Sequence, residues 1–148
     1  MSELLGHISN DVRVQTPQIT NEIISAVSNI PDQMLMELNS VILNTQSVED
    51  VYALLGKEAG AAAFGSNLIE SGKSMFLNKA SGLSDAICGN ELLKKYCLNA
   101  NYIDTSTCAG LILGRLHSSK TQGINIVLIS IILARIGIKN LCTKKWEQ

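Results

Sequence analysis

The sequence predicts an all-α fold: a single-domain helical bundle of about six or seven helices, with an apolar C-terminal helix near the core. Three observations predict it. Apolar residues recur at three- and four-residue steps through most of the chain, the spacing that gathers them on one helix face. Pro17 and Pro31 stand where two of these runs begin, and proline is at home in a first helical turn. The third observation is Ile124–Ala134, INIVLISIILA, whose only polar members are Asn125 and Ser130. A helix apolar all round has to be buried. The seven isoleucines and Val127 between Ile124 and Ile138 also suit a doubly buried strand. Helix is preferred because no other stretch reads as a strand to pair with it.

The elements follow in order. Leu4, Leu5 and Ile8 suggest one frayed turn. Thr16 caps a first helix with Pro17 at its first position, and Ile19, Ile23, Ile24, Val27 and Ile30 form its stripe. Pro31 ends it and opens a second, with Met34, Leu35, Leu38, Val41 and Ile42 facing inward. Asn44-Thr45-Gln46 is a break. Ser47 caps a third helix, with Asp50 in the capping-box position usually held by Glu or Gln. Val48, Val51, Tyr52, Leu54 and Leu55 supply its buried face.

Small residues mark the next stretch: Gly56 and Gly60, with Ala59 and Ala63 beside them. A glycine inside a helix costs about 1 kcal/mol relative to alanine, and close approach of another backbone is the usual compensation. Gly56, Gly60 and Ala63 are therefore a candidate interaction seam, within the molecule or between copies. Beyond Gly82, Ser84 or Asp85 caps a short turn, and Asn90 begins the helix ELLKKYCLNA. In CAGLILGRLHSS, Cys108, Ile112, Leu113 and Leu116 share a face, and Gly110 and Gly114 repeat the seam spacing. Gly123 opens the final apolar element, and Gly137 with Asn140 interrupts it before Lys144-Lys145. No fixed-period repeat and no linker appear, so residues 1–148 read as one domain.

Charge divides the chain into an acidic half, 1–70, and a basic half, 71–148. The first holds nine acids against Arg13 and Lys57, the second ten bases against four acids, and Thr105–Trp146 contains no acid. Such halves can fold onto each other, or join copies of the chain, by charge complementarity. Aromatic residues make up only 4%, which disfavours the stacking platforms of nucleic-acid binding and many enzyme pockets. The bases are spread rather than clustered, so nucleic acid is disfavoured as a partner. Cys88, Cys97, Cys108 and Cys142 fit no metal or redox spacing and read as buried free thiols of a reducing compartment. With an acidic N-terminal stretch unlike a signal peptide, this predicts an intracellular, cytoplasmic protein, the membrane surface being the alternative.

The sharpest motif is a near miss. GSNLIESGKS, Gly65–Ser74, resembles a P-loop in ending on Gly72, Lys73 and Ser74, but the glycine required earlier is Asn67. The stretch before it reads as helix, so nucleotide binding ranks third. No GxSxG, zinc-binding helix, EF-hand loop or dinucleotide fingerprint is present, and His117 lies in an apparent solvated break, HSSK. The expectation is a non-enzymatic structural or protein-interaction subunit without cofactor or metal. Its expected partner is itself, as a homo-oligomer through the small-residue seams and charged halves, or another protein. The alternative is a membrane-associated or membrane-disrupting protein using residues 108–139. There an anionic membrane would meet Ile124, Ile126, Val127, Leu128, Ile129, Ile131, Ile132 and Leu133. The uncharged stretch of eleven residues falls short of the roughly 20 that span a bilayer, unless Arg135 snorkels and extends it.

Overall fold

The computed structural model describes residues 17–58, 65–97, 105–119, 125–139 and 141–142. It is all-helical, as predicted. The described elements are α1 (Pro17–Val27), α2 (Asp32–Asn44), α3 (Val48–Glu58), α4 (Gly65–Cys88), α5 (Glu91–Cys97), α6 (Thr105–Ser118) and α7 (Ile126–Ile136). One apolar cluster runs through all of them, from Ile23 on α1 to Cys142 beyond α7.

Local chemistry accounts for most helix ends. Pro31 sits just outside α2, its carbonyl accepting from Leu35 N at 3.1 Å. Ser47 and Asp50 make the predicted reciprocal cap of α3. Asp50 Oδ2 accepts from the Gln46 and Ser47 amides at 2.9 and 3.3 Å, and Ser47 Oγ accepts from Asp50 N at 3.4 Å. These bonds, the Gln46 amide foremost, hold the Asp50 carboxyl below its ordinary value. Asn90 caps α5 through Leu93 N. Gly137, at φ 86°, closes α7 with its N–H on the Leu133 carbonyl at 2.8 Å, a left-handed conformation that favours glycine.

One element and two single residues depart from the sequence reading. α4 does not stop near Gly82 but runs on through Ser84 to Cys88. Phe76, Leu83 and Ile87 are buried on its inner face, so core burial outweighs the cost of one glycine. The exposed Ile24 and Leu54 turn away from the stripes to which their spacing assigned them.

The apolar C-terminal helix lies in the core, as expected, and shares the centre with α6. α6 packs on α1, α2, α4, α5 and α7, and is buried continuously from Thr107 to Gly114. α7 packs on α2, α3 and α6, and is buried from Ile126 to Leu133. Its two polar members are satisfied locally. Asn125 is the N-cap, accepting from Val127 and Leu128 amides, and Ser130 Oγ donates to the Ile126 carbonyl at 2.7 Å. The candidate residues Ile126, Val127, Leu128, Ile129, Ile131, Ile132 and Leu133 are thus all core, while Ile124 lies outside the described residues. No helix among the described residues is long and apolar enough to cross a membrane.

The cysteines correct the sequence reading. Cys88, at the end of α4, is bonded to Cys142 across 54 residues. Cys97 and Cys108 are free and buried. Two of the four are therefore not thiols, and the inference from free thiols to a reducing compartment loses that ground.

Candidate binding cleft

A cleft of about 780 Å³ opens between α1, the start of α5 and the second half of α6. Its α1 side carries Asn21 and Ser25, one turn apart, followed by Asn29 from the turn after the helix. Opposite stand Asn90, Glu91 and Lys95, with Leu92 and Leu93 between them. The floor is α6: Leu111, Gly114, Arg115 and Ser118.

The sequence places these groups for identifiable reasons. Ile23 and Val27 are buried, so the α1 positions on the other side, Asn21 and Ser25, face outward and are exposed. Gly114 lets α1 lie close against α6. A Cβ there would overlap the Ala26 carbonyl oxygen, and both residues line the cleft. Arg115 is half-buried and its Nε donates to the Ala86 carbonyl, one of the last in α4. Such carbonyls have no partner within their own helix.

Chemically the cleft is lined by carboxamides and hydroxyls, with the apolar side chains of Ala26, Leu92, Leu93 and Leu111 among them. Among the described lining residues there is one acid, Glu91, with Lys95 and Arg115, and no aromatic ring, histidine or cysteine. Nothing in it pairs a nucleophile with a base. Among the described residues no three His, Cys, Asp or Glu side chains gather as a metal site.

The residues singled out in the sequence lie elsewhere, Gly114 excepted. Gly65–Ser74 are the first ten residues of α4, in helical rather than loop conformation. Gly72 lies against the Tyr52 backbone, Lys73 Nζ is 5.9 Å above the Tyr52 ring, and Ser74 is exposed. The backbone N–H groups that would cradle phosphate in a P-loop are therefore inside a helix. Burial, with Glu49 nearby, pushes the Tyr52 hydroxyl up, and Tyr52 meets Phe76 edge-on at 6.0 Å. Gly56 faces Leu68 and Gly72 of α4, so this small-residue seam joins α3 to α4 within the chain. Gly110 is buried in α6; Gly60 and Ala63 lie outside the described residues. His117 belongs to the last turn of α6 rather than to a break. The Cys97 thiol donates to the Cys108 carbonyl at 3.9 Å, and hydrogen bonding with Cys108 together with burial holds it above its ordinary value.

No protein family, no curated protein and no solved structure matches this chain.

The cleft was not legible in the sequence. Its walls come from residues 21–29, 90–95 and 111–118, and no local spacing relates them. The only trace was Gly114, which the sequence marks as a point of close approach without saying to what.

Proposed function

We propose that this chain is a non-enzymatic protein-interaction subunit whose cleft receives an extended segment of a partner polypeptide. The carboxamide and hydroxyl edge of α1 carries this reading. Asn21 and Ser25 are one turn apart, about 6 Å along the axis. An extended chain repeats every two residues, about 6.6 Å, so successive backbone groups of a bound segment meet successive side chains of the edge. Carboxamides both donate and accept, which suits a peptide backbone. No aromatic ring stands among the described lining residues, which disfavours nucleobases and sugars, since these need flat faces to stack on. The glycine positions Gly56 and Gly114 are filled from within the chain, which supports a reading that uses the cleft rather than those seams.

Selection of a random peptide library against the full chain tests this, with Ser25→Trp as the blocked form. Ser25 is exposed on α1, so an indole there fills the cleft without entering the core. Peptides that bind the parent chain and fail to bind Ser25→Trp, at unchanged helical content, are the expected result. An empty selection, or peptides indifferent to Ser25→Trp, would refute the reading.

A further inference from the structure

We propose that Arg115 is the anchor of this cleft and that it takes an acidic side chain, Asp or Glu, of the bound segment. The proposal rests on the peptide reading above and deepens it. Arg115 stands at the floor, half-buried, with Nε already committed to the Ala86 carbonyl. That bond fixes the plane of the guanidinium. Among the described residues its two Nη groups have no hydrogen-bond or ion-pair partner.

Arg135 is the internal comparison. Its two Nη groups are both satisfied, by oxygens of Ile42, Thr45 and Ser47. The fold thus completes one guanidinium and leaves the other, on a residue that lines the cleft, with Nη groups unpartnered among the described residues. A guanidinium held in place by one N–H and missing partners for the rest is matched by a carboxylate, whose two oxygens accept from the fork in parallel. Ser118, one turn further along α6, offers a hydroxyl at the same end. Among the described lining residues Arg115 is the one guanidinium, and a single fork suits one carboxylate better than the near-dianion of a phosphate.

The test uses peptides selected on the full chain. Each is compared with a version whose acid is replaced by its amide, and with one whose C-terminus is amidated. All three are titrated against the parent chain and Arg115→Gln, in which the glutamine amide can still donate to the Ala86 carbonyl. The selected peptides should share an acid. Replacing it should weaken binding to the parent about ten- to hundredfold and leave binding to Arg115→Gln unchanged, while C-terminal amidation changes neither. Peptides that bind with no acid in common overturn the proposal, as does an equal loss in both chains or a loss traced to the C-terminus. In each of those cases cleft binding itself stands. Should Arg115→Gln fail to fold, the shared acid and the amide comparison in the parent chain decide alone. A chain that selects no peptide at all removes the cleft reading and this one with it.

Discussion

Four oxygens surround the Arg135 guanidinium. Nη1 donates to Thr45 Oγ1 at 2.8 Å and the Ser47 carbonyl at 3.0 Å; Nη2 donates to the Thr45 and Ile42 carbonyls at 3.1 and 3.4 Å. Ile42 is in the last turn of α2, where carbonyls lack intrahelical partners. The arginine therefore closes α2, braces the turn into α3 and fastens both to the end of α7. Arg135→Met should cost about 2–4 kcal/mol in urea unfolding, because several half-buried oxygens lose their donors together. Arg135→Lys should recover only part, since one ammonium cannot reproduce the fork. A loss below about 0.5 kcal/mol for Arg135→Met, the range of an ordinary surface change, would refute the clamp. The sequence shows the local half of this arrangement. Ser47 and Asp50 are three apart, and their capping box is readable from spacing. Arg135 and Thr45 are 90 residues apart, and in sequence Arg135 is only the charge that ends an apolar run.

Glycine shows the same division at the scale of a helix. α3 and α4 make the most extensive helix pairing, and they approach closely where Gly56 and Gly72 stand. An added Cβ at Gly56 would overlap the Leu68 carbonyl, and one at Gly72 the Tyr52 carbonyl. Both obstacles are backbone, which cannot swing aside as a side chain can. Gly72→Ala should therefore destabilise by about 1–3 kcal/mol, overpacking outweighing the gain in helix propensity. Gly82, on the same helix, is exposed with nothing within 4 Å of its absent Cβ. Gly82→Ala should stabilise by about 0.5–1 kcal/mol. Thermal or urea unfolding of the two variants checks both signs, and equal signs would overturn this account of the seam. Sequence spacing marked Gly56 as a point of close approach, but it noticed Gly72 only as part of an imperfect P-loop resemblance and Gly82 only as the point beyond which a short capped turn was expected. Composition cannot distinguish a glycine that backbone excludes from one that merely faces solvent.

Over the whole molecule, the acidic and basic halves are joined by polar contacts as well as by the core. Asn125, the cap of α7, donates to both carboxylate oxygens of Glu58 at 3.0 and 2.9 Å, and the charge of Arg135 helps to lower Asp50. The all-helical class was legible because stripes such as Leu35 and Leu38 follow helical spacing. The shared centre was not, because Thr107–Gly114 of α6 and Ile126–Leu133 of α7 are buried on every side, and a stretch apolar all round names no neighbour. The cysteine pairing was equally hidden, since connectivity does not follow from spacing. Its consequence can be measured. The Cys88–Cys142 bond closes 54 residues of chain, so cutting it returns loop entropy to the unfolded state, about 4 kcal/mol at most by chain statistics. Cys88→Ala combined with Cys142→Ala should lower stability by about 2–4 kcal/mol and steepen the denaturant dependence, as a less constrained unfolded chain exposes more surface. Helical content should persist, because Gly137 still caps α7 and the core on both sides of the bond is intact. Thiol titration of the denatured, unreduced parent should find Cys97 and Cys108 alone among the four cysteines. A titration that finds all four as thiols would show the bond to be absent from the protein as isolated, and the stability difference should vanish with it.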